Sequence, residues 1–174
     1  MKYYLTFDAG TQSVKVAVYD ENFHCITSLN RPTTLNYPHP GWVEMNVDEY
    51  VANIKLCMRD CSKQLHRLQI NPADIAVIMG DGIICGIVGI DEQGQAITPF
   101  INYLDSRTKA DAELLKAQNH PVWQQETGNP EPLCMFPALH ARWLLKNDSS
   151  FRQHGAKFVH NAPYILMQMP GLPA

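Results

Sequence analysis

The chain has no apolar run of the roughly 18 residues that a membrane-spanning helix needs. It also has no block of lysine or arginine that could follow a nucleic-acid backbone, so neither a membrane nor a nucleic acid is expected as a partner. CxxC pairs are missing, and the histidines show no HxxxH or HExxH spacing, which removes the usual zinc and thiol-redox arrangements. Five cysteines, Cys25, Cys57, Cys61, Cys85 and Cys134, make an odd number. The start, Met1-Lys2, runs into a strand without the regions of a signal peptide, so reduced thiols and a cytoplasmic location are expected. Cys57 and Cys61, four apart on a predicted helix, read as small core residues. GxxxxGK[ST] is absent as well. GDGIICG (80–86) looks superficially like a dinucleotide loop, but a Rossmann turn opens a helix, and IVGID reads as strand.

What is present suits one soluble globular domain: 174 residues, 45 % of them hydrophobic, are enough for a sizeable core. A net charge of -3 leaves a small ligand as the source of any phosphate bound here. Residues 2–8, 13–20 and about 23–30 read as three short strands in an antiparallel meander, with Asp20-Glu21-Asn22 as the second turn. A Pro-rich stretch follows. Asn46 and Glu49 then have capping-box spacing, and Val51, Ile54, Met58, Cys61, Leu65 and Leu68 recur at helical steps, predicting an amphipathic helix of about five turns. DIAVIMG reads as a buried strand, parallel to the first. GIVGID and AITPFINY read as two further strands around Glu92-Gln93-Gly94. Helices are predicted from Ser106 to about Asn119, with Ala110, Leu114 and Leu115 inward, from Pro137 to Lys146, and from PYILMQM onward after a short strand AKFVH. The fold class is α/β with a mixed sheet.

One turn carries unusual chemistry. In YYLTFDAGTQSVKVAVYD two β-rich runs flank Asp8-Ala9-Gly10-Thr11-Gln12-Ser13, which holds a carboxylate, a glycine and two hydroxyls. Successive backbone N–H groups in such a concavity bind anions, and a carboxylate beside them can hold Mg²⁺. Lys15 lies on the same side of its strand as Ser13 and adds a positive charge suited to a transferring phosphoryl group. Asp and Gly also form ordinary hairpin turns, and these residues alone leave that reading open.

Four blocks together resemble the N-terminal domain of the FGGY carbohydrate kinases, within the actin, Hsp70 and hexokinase superfamily. They are FDAGTQSVKVAVYD, PGWVEMNVDEY, GIVGIDEQGQAITPFINYLDSR, and TGNPEP with WLLKN after it. Their order and spacing cover nearly the whole chain. The resemblance implies a ribonuclease H-like fold and transfer of the ATP γ-phosphoryl group to a sugar or polyol hydroxyl, with ATP and Mg²⁺ as cofactors. By position, Asp8 matches the acidic residue that works near the metal. Gly10, Thr11, Gln12 and Ser13 match the phosphate-contacting turn, and Lys15 a basic position facing the γ-phosphate.

On the substrate side the resemblance assigns Tyr103, where the family often has Trp, with Asp105 and Arg107 as the Asp-x-Arg pair. A helix N-cap is the plain alternative for Asp105, and a surface or helix-start residue for Arg107. Ile83 and Cys85 stand where many pentulose kinases place Gln and His, leaving Asp81 to supply a polar contact. The family's general base and adenosine-binding loops fall beyond residue 174. Residues 1–174 are thus expected to be an incomplete N-terminal domain lacking the C-terminal nucleotide-binding domain, from a protein compatible with a homodimer in full-length form. Met169-Pro170-Gly171 stands where the family has Leu-Thr-Gly. The alternative from another class is a non-catalytic, truncated or diverged relative with a sensing or interaction role.

Overall fold

The computed structural model describes residues 1–169, so Pro170 and Gly171 of the Met169-Pro170-Gly171 turn lie outside the described residues. The chain forms two compact units. One comprises Met1–Thr34, Asn46–Ile83 and the segment from Asn161 on; the other comprises Leu35–Met45 and Ile84–His160. The division has a physical basis, since each unit closes its own sheet hydrogen bonds and its own core.

The first unit is built on β1 (Tyr3–Ala9), β2 (Ser13–Tyr19), β3 (Cys25–Pro32) and β5 (Ile75–Gly82), in the order β3-β2-β1-β5. The first three pair antiparallel, as the tight turns between them predict, and β5 pairs parallel to β1. Alternation divides the faces: Tyr3, Leu5, Phe7, Val14, Val16 and Val18 are buried on one side, while Asp8 and Lys15 lie exposed on the other. Helix α1 (Val47–Arg67) covers the buried face with Tyr50, Ile54, Cys57, Cys61 and Leu65, at steps of four, three, four and four. Cys57 and Cys61 are core residues, as expected, and burial pushes the Cys61 thiol up to about 11. Asn46 caps the helix by accepting the Glu49 N–H at 3.1 Å. The reciprocal half of the capping box is replaced, because the Glu49 carboxylate accepts the Thr34 hydroxyl instead. Leu68, expected on the apolar face, is exposed beyond the helix end.

Strand β5 corrects an expectation. It is not buried: Ala76 to Asp81 are exposed, because β5 is the edge of this sheet and α1 packs over β2 and β3. Its contact with the core is made instead through a glycine. A Cβ on Gly80 would lie 1.9 Å from Cζ of Phe7, so the ring occupies the space above that residue. Helix α6 (Asn161–Met167) also packs against β5, burying Tyr164 and Ile165.

The second unit holds two small antiparallel pairs, β4 (Glu44–Met45) with β7 (Phe100–Ile101) and β6 (Val88–Ile90) with β8 (Lys157–Val159). The strands predicted for GIVGID and AITPFINY are shorter than expected. Pro99 has no N–H for a ladder, and Thr98 Oγ1 takes the Gly89 N–H at 2.8 Å. Around them lie α2 (Lys109–Ala117), α3 (Val122–Thr127), α4 (Pro137–Asn147) and α5 (Ser149–His154). Ile87, Ile101 and Leu144 form the core, flanked by Ala141, Trp143 and Phe158. Helix α2 begins three residues later than predicted and turns Thr108, Ala112 and Leu115 inward. Ala110 and Leu114 are exposed, which corrects the expected face. No helix among the described residues is long and apolar enough to cross a membrane.

Replacing Gly80 with Ala should drive a methyl group into the Phe7 ring and lower stability by about 1–3 kcal/mol, the usual penalty for overpacking. Urea unfolding followed by circular dichroism reads the change. An unaltered midpoint would show that Phe7 does not fill that space.

Candidate functional site

In the first unit the sheet register assembles a polar row. Lys15 on β2 is the partner of Asp8 on β1, and Asp8 is the partner of Asp81 on β5. Partners in register project to the same face, so one cation and two carboxylates stand side by side at the exposed end of the sheet. Lys15 Nζ lies 3.8 Å from Asp8 Oδ2, and both side chains are more than half exposed. An ion pair this open is worth ~0–1 kcal/mol, so exchanging the carboxylate for another anion costs little. Asp81, expected among substrate-binding residues, stands next to Asp8, and its Oδ1 accepts the Gly82 N–H at 2.7 Å.

The turn after Asp8 is anchored through its carbonyls. Ala9 O accepts from Ile83 N (3.1 Å) and Asn161 Nδ2 (3.0 Å), and Gly10 O accepts from Tyr50 Oη (2.9 Å). Thr11 O accepts from Thr33 Oγ1 (2.5 Å), Gln12 O from Thr33 N (3.1 Å) and Ser13 O from Gly10 N (3.1 Å). A trans peptide directs its N–H opposite to its C=O. No peptide bond here is cis, so tying down the Gly10, Thr11 and Gln12 carbonyls aims the amides of Thr11, Gln12 and Ser13 away from those anchors. Gly10 is required by close approach, since a Cβ there would sit 2.9 Å from Ser13 O.

In the second unit Asp105 and Arg107 do come together, but inside the protein. The Arg107 guanidinium reaches Asp105 through Nε (2.9 and 3.0 Å) and Nη2 (2.8 Å), and Glu44 Oε1 through Nη2 (2.6 Å). Its Cζ lies 3.9 Å from the Trp42 ring centre and 4.9 Å from that of Trp143, a cation–π contact with two rings that meet edge-on at 85°. Asp105 also accepts the Val43 N–H at 2.7 Å and the Arg107 N–H at 2.9 Å, and His140 Nε2 lies 3.6 Å away. The Asp105 side chain has no exposed surface and that of Arg107 only 2 %.

These positions correct both plain alternatives. The N-cap of α2 is Thr108, not Asp105, and Arg107 is not a surface residue. Nor does the geometry meet the expectation that Asp105 accepts bonds from sugar hydroxyls, since both of its oxygens are already in use. Tyr103 is half-buried on the turn before it, where Asn102 accepts the Leu104 and Asp105 N–H groups. Cys85 is half-buried with a left-handed backbone (φ 60°), Ile83 is buried, and Ile84 between them is the exposed side chain. Sequence reasoning assigned no role to Glu44, Trp42, Trp143 and His140, although three of the four lie in the quoted PGWVE and WLLKN blocks. Among the described residues no group of three or more metal-ligating side chains occurs.

Solved structures share this fold. A xylulose kinase from Rhodospirillum rubrum superposes with a TM-score of 0.83 at 22 % identity, over 95 % of this chain and 33 % of its own. The Plasmodium falciparum glycerol kinase with ADP gives 0.83 at 21 %, over 96 % and 34 %. The class is therefore the α/β fold of sugar kinases. Residues 3–172 match the FGGY family of carbohydrate kinases, N-terminal domain, and the chain belongs to that family. Glycerol kinase of Borrelia duttonii is 29 % identical over 163 residues, 90 % of this chain and 31 % of that protein. Xylulose kinase of Escherichia coli K12 is 26 % identical over 170 residues, 97 % and 33 %. The chain thus spans about a third of the length of these relatives.

The buried carboxylate gives a pH signature. Burial alone would raise the Asp105 pKa, but His140, Arg107 and the Val43 and Arg107 N–H groups outweigh it and hold the group at about 2. Because the folded pKa is depressed, the stabilisation is complete above the unfolded value near 4 and is lost as pH falls through about 2, roughly 2–3 kcal/mol in all. Asp105→Asn should flatten that acid limb relative to the native chain in unfolding measurements between pH 5 and pH 2. Parallel limbs would show that Asp105 titrates alike in both states.

Proposed function

We propose that this chain supplies the phosphate-contacting and substrate-facing part of a kinase that transfers the γ-phosphoryl group of ATP to a hydroxyl of a sugar or polyol. The observation that carries this reading is the in-register row Lys15, Asp8 and Asp81 beside a turn whose carbonyls are all tied back. Such a donor set fits a phosphate chain: amides and an ammonium for its oxygens, and the Asp8 carboxylate for its Mg²⁺. Bound Mg·ATP supplies the phosphoryl group and a divalent charge. The protein's part is to hold Gly10, Thr11, Gln12 and Ser13 in one conformation and to present Lys15 where negative charge grows. Preorganised charge of this kind lowers the barrier without reorganisation during the step.

In the first unit Asp81 is proposed as a substrate-binding carboxylate, able to accept a hydrogen bond from a hydroxyl. In the second unit, taken by itself, Cys85 and Tyr103 are proposed as substrate-binding residues, Tyr103 through its ring face. Asp105 and Arg107 are proposed to fix the Tyr103 turn from within. The general base and the adenosine contacts are assigned to the remaining two-thirds found in the relatives. A cytoplasmic location is proposed, where reduced thiols are the expected state of its five cysteines. A sensing role has less support, since the relatives are glycerol, xylulose and gluconate kinases.

In this chain joined to the rest of the kinase, Lys15→Ala should lower kcat by about 10²-fold or more, in the range for losing one preorganised charge-stabilising donor. Turnover equal to the parent's, at equal stability, would remove Lys15 from the mechanism.

The acceptor preference is a second test. With Ile83 and Cys85 where pentulose kinases have Gln and His, a hydroxyl of D-xylulose is left unpaired at roughly 1–3 kcal/mol. Steady-state comparison of ketoses, polyols and aldonates should therefore rank D-xylulose low. Its emergence as the preferred substrate would refute this account of the pocket.

A further inference from the structure

Two buried side chains stand behind the phosphate turn and hold it by its carbonyls. Tyr50, from the first turn of α1, and Asn161, at the start of α6, are each 3 % exposed. The Tyr50 hydroxyl donates to Gly10 O at 2.9 Å. The Asn161 amide donates to Ala9 O at 3.0 Å and approaches Tyr50 Oη at 3.5 Å, while its Oδ1 accepts the Ala162 N–H at 2.7 Å. Gly82 at the end of β5 is packed so closely on this amide that a Cβ would fall 2.6 Å from Asn161 Oδ1. Both helices therefore reach one place, the two successive peptides between Ala9 and Thr11, by hydrogen bonds that no apolar residue could replace.

Peptide geometry gives these contacts a consequence on the opposite side of the turn. Holding Gly10 O fixes the plane of the Gly10-Thr11 peptide and with it the direction of the Thr11 N–H. Holding Ala9 O fixes the preceding plane, whose Gly10 N–H closes the turn on Ser13 O. Burial pushes the Tyr50 pKa far up, so the hydroxyl keeps its donor proton throughout the working pH range.

We propose that Tyr50 and Asn161 are positioning residues for the phosphate turn: Tyr50 sets the Gly10-Thr11 peptide through the Gly10 carbonyl, Asn161 sets the Ala9-Gly10 peptide that closes the turn on Ser13, and together they order the turn that presents its Thr11, Gln12 and Ser13 amides to the phosphate chain. This rests on the reading of the turn as a phosphate site. Neither residue meets the ligand, and their effect is on the order of the turn and on its affinity.

The test uses the ¹⁵N-labelled 174-residue chain and two readouts. Without ligand, backbone order parameters of Gly10–Ser13 in Tyr50→Phe should fall from about 0.85 to below about 0.7, while Leu5–Phe7 stay rigid. With magnesium tripolyphosphate as probe, the shifts of the same amides should report binding that Tyr50→Phe weakens about fivefold, the scale of one hydrogen bond. Asn161→Ala should do the same if Tyr50→Phe folds poorly. Ile54→Val, which loosens the core under α1 without touching the turn, should change neither readout. Native order and native affinity in both variants would overturn the inference. If the native chain fails to bind tripolyphosphate while Tyr50→Phe still loosens the turn, the phosphate reading falls and the hold on the turn stands.

Discussion

A sheet that ends in a turn presents both peptide donors and peptide acceptors at that end, and only one set can be offered to an anion. The first unit resolves this by satisfying the acceptors internally. Every carbonyl from Ala9 to Ser13 has a donor within the unit, drawn from α1, α6, the segment after β3, the end of β5 and the turn itself. Much else in the unit follows from this arrangement. Tyr50 has to lie in the first turn of α1, so the Asn46 cap that starts the helix also sets the height of the hydroxyl. Gly82 has to lack a side chain because Asn161 needs the space.

The second unit faces a different constraint, a guanidinium with almost no exposed surface. Leaving such a charge unpaired would cost several kcal/mol, so its surroundings are specified closely. Asp105 neutralises it with a bidentate contact, Glu44 also accepts from Nη2, and the rings of Trp42 and Trp143 lie against it. A lysine could not meet all of these geometries, because the planar fork and the stacked face belong to arginine alone. Segments far apart in sequence, around residues 42–44, 105–107 and 140–143, are thereby fixed to one another.

The meander, α1 and the parallel strand were legible because period-2 and helical repeats record which face of an element is buried. β5 was read as buried because an apolar run looks the same whether a helix covers it or it lies at an edge. The inward face of α2 was not legible because Ala110, Ala112, Leu114, Leu115 and Ala117 lie around much of its circumference, so the repeat singles out no one stripe. Asp8, Lys15 and the turn were legible from local chemistry. The placement of Asp81 beside Asp8 was not, since it depends on parallel register across 73 positions of chain, from 8 to 81. The roles of Tyr50 and Asn161 were hidden for the same reason: each acts on a carbonyl, and carbonyls carry no side-chain signature.

Asp8–Lys15 and Asp105–Arg107 are both carboxylate–cation pairs, yet burial gives them opposite properties. The first is open on both sides and separated by 3.8 Å, so it contributes ~0–1 kcal/mol and holds neither partner firmly. The second is closed at 2.8 Å without exposed surface, and removing either partner would strand a charge at about 3–5 kcal/mol. A pair that must exchange its anion during a reaction has to be of the first kind. A pair that must hold a turn in place has to be of the second, which is why charge alone could not separate the two from sequence and burial does.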